Sequence, residues 1–100
     1  MSRDDVRRHL IAYDVSDDVR RTKVAKKLES YGDRVQYSVF VVDAGPAKLL
    51  RLRTWLVGTI DQSTDSVLIC DLGHLRGNEH RLLDVIGRGR PITSHGPALL

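Results

Sequence analysis

A chain of 100 residues, 41% hydrophobic and 29% charged, has room for one core, which excludes a two-domain arrangement and the apolar-poor, charge-rich pattern of disorder. The net charge of +3 is too small to mark a nucleic-acid binder by itself, although twelve of the sixteen basic residues are arginine, whose planar fork suits phosphate. No apolar run approaches the roughly 18 residues that cross a bilayer, and Ser2-Arg3-Asp4-Asp5 offers no signal-peptide core, so no membrane segment is expected and the cytoplasm is the expected compartment.

In chain order, His9-Leu10-Ile11-Ala12-Tyr13-Asp14-Val15 is apolar and rich in strand formers, and reads as a strand buried on at least one face. Ser16-Asp17-Asp18 supplies N-cap candidates and first-turn acids for a helix reaching Tyr31. Val24, Ala25, Leu28 and Tyr31 share its apolar side, Lys23, Lys26 and Lys27 its basic flank, and Gly32 is its stop signal. Residues 34–43, RVQYSVFVVD, are strand material throughout, with no glycine or proline to interrupt them. Gly45-Pro46 opens a second helix with Leu49, Leu52, Leu56 and Ile60 at helical spacing, followed by a polar loop over 61–65.

A third strand is expected over 66–72. Inside it the lone cysteine, Cys70, rules out an intrachain disulfide and a multi-cysteine zinc site, fits a reducing compartment and, beside Val67, Leu68 and Ile69, is expected to be buried. The run Leu82-Leu83-Asp84-Val85-Ile86 reads as a further strand, ended by Gly87. The tail over 87–100 is rich in glycine and proline but closes on Ala98-Leu99-Leu100, apolar residues suited to a sheet edge of this chain or of a partner.

Two helices among at least four strands, in the order strand, helix, strands, helix, strands, predict a single domain over 1–100. Its class is α+β: a ferredoxin-like sandwich with two helices on one face of an antiparallel sheet. That topology needs two strands between the helices, so 34–43 must bend into two short pieces or be one long strand. A folded chain this small buries only about two-thirds of its unfolded surface, so a second copy is expected on size alone.

Common catalytic motifs are absent: there is no HExxH, GxSxG, P-loop or EF-hand pattern, and Gly87-Arg88-Gly89 lacks a third glycine. His9, His74, His80 and His95 show no ligand spacing and are assigned no role. Asp14 stands out, because a carboxylate where a strand runs into a helix stands at a sheet end where sites are built. Capping the next helix is the simpler role for that position. For metal chemistry one carboxylate is too few, but Mg²⁺ keeps several waters, and Asp14 from each of two protomers across a twofold axis would suffice.

Together, Tyr13-Asp14-Val15-Ser16-Asp17-Asp18, the helix Arg21-Thr22-Lys23-Val24-Ala25-Lys26, the stretch from Tyr31-Gly32-Asp33-Arg34 through Val35-Gln36-Tyr37-Ser38-Val39-Phe40, and Asp65-Ser66-Val67-Leu68-Ile69 resemble the CRISPR-associated Cas two family, the small subunit of the spacer-acquisition machinery. The resemblance covers nearly the whole chain. It implies a homodimer in which the C-terminal segment adds to the partner's sheet. It also implies that the two Asp14 carboxylates hold a divalent ion, Mg²⁺ with Mn²⁺ as substitute, for endonucleolytic cleavage of single-stranded RNA or double-stranded DNA in antiviral defence. Arg34, Ser38 and Phe40 match family positions near that site. Arg34 has an alternative as a partner of Asp33 or Asp43, Ser38 as a strand-edge hydrogen-bonder, and Phe40 as a core residue.

The resemblance further implies a scaffold role, in which the dimer bridges copies of a larger integrase subunit and holds a DNA duplex by its phosphates. Arg20, Arg21, Lys23, Lys26, Lys27, Arg51 and Arg53 are the backbone-contact candidates, with Arg76, Arg88 and Arg90 as additions. A solvated basic face is the plain alternative. Val41-Val42-Asp43 departs from the family pattern of an acid with a small residue, and the tail is short of acids. Three functions follow: an adaptation subunit with a nuclease site at Asp14, the same subunit as a non-catalytic scaffold, and a toxin-type ribonuclease or RNA-binding domain of the same build outside CRISPR.

Overall fold

The computed structural model describes residues 5–75 and 83–92. Its elements run β1 (Arg7–Asp14), α1 (Asp18–Glu29), β2 (Asp33–Gln36), β3 (Val39–Ala44), α2 (Pro46–Thr59) and β4 (Ser66–His74). The sheet order is β2-β3-β1-β4, and every neighbouring pair is antiparallel. This is the expected ferredoxin-like α+β arrangement.

The core follows from the two periodicities. Alternate residues Ile11 and Tyr13 of β1 and Phe40, Val42 and Ala44 of β3 turn to the face that receives Val24 and Leu28 of α1 and Leu52 and Leu56 of α2. Ala25, Tyr31, Leu49, Trp55 and Ile60 pack around its margin. Each fully buried large aliphatic here contributes about 1.5–3 kcal/mol. Arg8 and Asp43 pair directly across β1 and β3 and join both ends of the guanidinium to the carboxylate, at 2.8 and 3.0 Å. Both side chains are buried, and Asp43 is thereby engaged by Arg8, not by Arg34 as one reading of the sequence had it.

The segment 34–43 resolves as a hairpin with Tyr37 and Ser38 at its turn. Neither residue takes a positive φ, so the turn lacks the mirror-image geometry that draws glycine or asparagine into hairpins, which is why no composition signal marks it. A register shift between Arg34 and Gln36 absorbs the mismatch. The turn is tied from outside: Tyr13 donates its backbone N–H to the Ser38 carbonyl at 3.1 Å and its hydroxyl to the Tyr37 carbonyl at 3.4 Å.

Both helices begin where expected. Asp17 caps α1, its carboxylate accepting from the Arg20 N–H at 2.9 Å, and Pro46 opens α2 after Gly45. Gly32 donates its N–H to the Leu28 carbonyl, but its deeper reason for being glycine is spatial. A Cβ there would lie 2.0 Å from the Val41 carbonyl oxygen, against β3 backbone.

Two expectations are corrected. Cys70 is exposed, because it lies opposite Leu10 on β4, the edge strand, where half the residues face solvent. Residues 83–86, the described part of the expected strand over 82–86, form no strand, and Ile86 is almost fully exposed; β-branched composition does not make a strand without a neighbour to pair with. Residues 93–100, with the apolar Ala98-Leu99-Leu100, lie outside the described residues, so the tail's strand addition is untouched by this structure.

Candidate active site

The carboxyl end of β1 brings Tyr13 and Asp14 to the rim of the sheet, where the chain turns into α1. Alternation sends Tyr13 into the core and Asp14 out: Tyr13 is buried, and Asp14 is exposed with no hydrogen-bonding partner among the described residues. Opposite Asp14 in register stands Ser66 of β4. Since Asp17 caps α1, Asp14 is released from the capping role that its position suggested.

Basic and aromatic groups surround this rim. Arg21 donates one guanidinium nitrogen to the Val15 carbonyl at 2.8 Å and the other to Asp18. Burial works against its charge, but Asp18 and the Tyr37 phenol more than offset that, and its pKa is raised. Arg34 reaches the Tyr13 hydroxyl at 3.5 Å, and its guanidinium carbon stands 5.1 Å from the Phe40 ring centroid and 5.9 Å from that of Tyr37. Its Nε is buried without a hydrogen-bond partner. Among the described residues no carboxylate pairs with it, so Arg34 is a cation held by aromatic faces beside the β1 end.

Of the four residues assigned to the site, Asp14, Arg34 and Ser38 keep some exposure, Asp14 at the strand end and the other two against Tyr13, by its hydroxyl and its backbone N–H. Phe40 does not: it is fully buried and stacks on Tyr13 with ring centroids 6.2 Å apart. It therefore cannot touch a substrate and acts from beneath, as the floor under Arg34. Ser38 takes part through its backbone carbonyl, which fixes Tyr13.

The seven backbone-contact candidates divide. Lys23 and Lys26 on α1 and Arg51 and Arg53 on α2 are exposed. Lys27 lies over the Trp55 ring, its Nζ 4.9 Å from the centroid. Arg20 is engaged within the chain, its Nε 2.8 Å from the Asp65 carboxylate, so part of its charge is already compensated. Arg88 and Arg90 are exposed, and Arg76 lies outside the described residues.

Sequence reasoning missed two residues. Asp65 is buried and collects donors from the Ser16 N–H and hydroxyl, the Arg20 guanidinium, the Asp61 N–H and the Thr64 hydroxyl. Arg20 above all, with the Asp61 backbone N–H next, holds its carboxyl well below the usual carboxylate range. An acid closing a polar loop directly before an apolar strand was the available signal. Tyr37, exposed at the turn, was read only as part of a strand.

Can this donor set hold the divalent ion that the resemblance implies? Among the described residues no group of three or more His, Cys, Asp or Glu is placed to bind a metal. Among the described residues, one chain offers Asp14 as an unengaged carboxylate at the rim, which Mg²⁺ accepts as a ligand when waters, phosphate oxygens and a second carboxylate complete its shell. The second carboxylate would have to come from another chain, so the donor set fits the ion only if two copies bring their Asp14 residues together. The described residues contain no helix long and apolar enough to cross a membrane.

The family model for CRISPR associated protein Cas2 matches residues 7–76. The CRISPR-associated endoribonuclease Cas2 3 of Rhodospirillum rubrum is 40% identical over 81 residues, covering 81% of this chain and 82% of that relative. The crystal structure of a hypothetical protein, TT1823, from Thermus thermophilus superposes with a TM-score of 0.74 at 34% identity, covering 88% of this chain and 99% of the other. That of Streptococcus pyogenes Cas2 at pH 6.5 does so with a TM-score of 0.66, also at 34% identity, covering 80% of this chain and 99% of the other. This sheet order, together with these likenesses, leads to one assignment: the chain belongs to the CRISPR-associated Cas2 family.

Proposed function

We propose that this chain is a nuclease subunit of CRISPR adaptation that works as a homodimer, cleaving phosphodiester bonds with Asp14 of both protomers holding one Mg²⁺ or Mn²⁺. The observation that carries this reading is that the fold leaves Asp14 exposed and unengaged at a sheet end while it saturates its neighbour Asp65. Two facing carboxylates repel each other and favour a cation between them. A divalent ion bound there would polarise a phosphoryl oxygen and lower the pKa of a water. Arg34, which has no carboxylate partner among the described residues, would supply a guanidinium to a phosphate oxygen of the same strand. Arg21 is held charged at the mouth of α1 and adds to the positive field. Exposed Lys23, Lys26, Arg51 and Arg53 extend the cationic surface along the helices, suited to a duplex backbone and to assembly with the larger integrase subunit.

Cleavage of labelled single-stranded RNA and double-stranded DNA, with Mg²⁺, Mn²⁺ or EDTA, tests this reading on wild type and Asp14→Ala side by side. The expected result is divalent-dependent cleavage that falls by at least about 100-fold in the variant while dimerisation persists. Cleavage that survives the substitution sinks the assignment of Asp14. No cleavage by wild type, with duplex binding intact and steeply salt-dependent, makes the chain a scaffold.

A further inference from the structure

Tyr37 is an exposed aromatic that the core does not use. It is 68% exposed, at a turn position where small polar residues are the usual choice and a large ring gains nothing from burial. Yet the ring is held. The Arg34 guanidinium lies over it at 5.9 Å, and the Tyr37 carbonyl accepts from the Tyr13 hydroxyl. The next residue of the turn, Ser38, accepts from the Tyr13 N–H at 3.1 Å, so the turn lies against the residue that precedes Asp14. An aromatic plane open to solvent and backed by a guanidinium is the combination that binds single strands: cations take the phosphates and the ring takes a base.

We propose that Tyr37 is a stacking platform for an unpaired nucleobase of the strand whose phosphate lies at Asp14, with Arg34 holding the ring in place. The inference rests on the reading of Asp14 as a nucleic-acid site, and it names the preferred form of that nucleic acid: a strand with an unpaired base at the rim. Stacking is blind to the sugar, so RNA and DNA strands share this chemistry.

Fluorescence anisotropy in EDTA separates binding from cleavage. The probes are an RNA decamer, a DNA decamer of the same sequence and the blunt DNA duplex of that sequence, with wild type, Tyr37→Ala and Tyr37→Trp. Tyr37→Ala is expected to raise the Kd for one or both single strands by about 5- to 150-fold, to leave the duplex Kd unchanged, and to be rescued by Tyr37→Trp. Which strand responds identifies the sugar. An unchanged Kd for both strands, an equal loss on strand and duplex, or no rescue by tryptophan overturns the proposal. So does a change in sedimentation coefficient on Tyr37→Ala, which would make the ring a contact between copies. The discrimination is read without metal, so a wild type that binds this way but never cleaves refutes the nuclease reading alone, and a Tyr37-independent nuclease refutes the platform alone.

Discussion

Two aspartates at the end of β1 have opposite fates. Asp65 is buried and accepts from donors on the chain leaving β1, on α1 and within its own loop, whereas Asp14, across from its neighbour Ser66, is exposed and has no such partner among the described residues. The same division runs through the arginines. Arg20 is committed to Asp65, while Arg34 is held by rings and one hydroxyl. A charged group whose bonding capacity the fold consumes is architectural; one that the fold positions but leaves unspent is available for chemistry.

Thermal unfolding is the strongest way to break that distinction. Asp65→Ala leaves the Arg20 guanidinium and two backbone N–H groups without their acceptor and is expected to lower Tm by roughly 10–20 °C. Asp14→Ala is expected to shift it by no more than about 2–4 °C. Comparable losses from the two would put Asp14 back among the structural residues. A smaller effect is expected at Gly32, where a methyl group must displace the Val41 carbonyl. Denaturant titration of Gly32→Ala should show a loss of about 1–3 kcal/mol, and a neutral result would mean that β3 yields there.

The smallest effect is in the acid limb of stability. Asp65 is held low by Arg20 first, Asp71 by Arg7 and Asp61 by Ser63. For carboxyls depressed in the folded state, the stabilisation is complete above the unfolded value of about 3.9 and is lost as pH falls toward the folded values. Tm measured against pH should therefore drop below about pH 4, with a shallower drop in Asp65→Ala. An identical slope in the variant would show that Asp65 does not set the acid limit.

Most of the fold was legible because its elements carry their own signals. Asp17 and Pro46 mark helix starts, and Leu28, Leu52 and Leu56 fall at core spacing. The hairpin was not legible at its turn, since Tyr37-Ser38 is shaped by bonds to Tyr13 and not by its own composition. Cys70 was misread because local apolarity does not say whether a strand is central or at an edge. At the candidate site, position singled out Asp14, yet the contrast with Asp65 that gives it meaning needed the distances between β1, α1 and the 61–65 loop. Phe40 belongs to the site's floor and not to its surface, a distinction that only packing makes.

The tether between Tyr13 and the hairpin turn also orders events in time. A hairpin with a self-sufficient turn closes as a local step in about 1–10 μs. This one is braced by a residue 24 positions earlier in the chain, so its turn gains support once β1 has arrived, beyond what the β2–β3 ladder supplies. The slow search in folding is then the meeting of the first and third strands, a closure across the whole of α1. The bonds that assemble the rim around Asp14 are the same ones that complete the sheet, and the site matures with the fold, not after it.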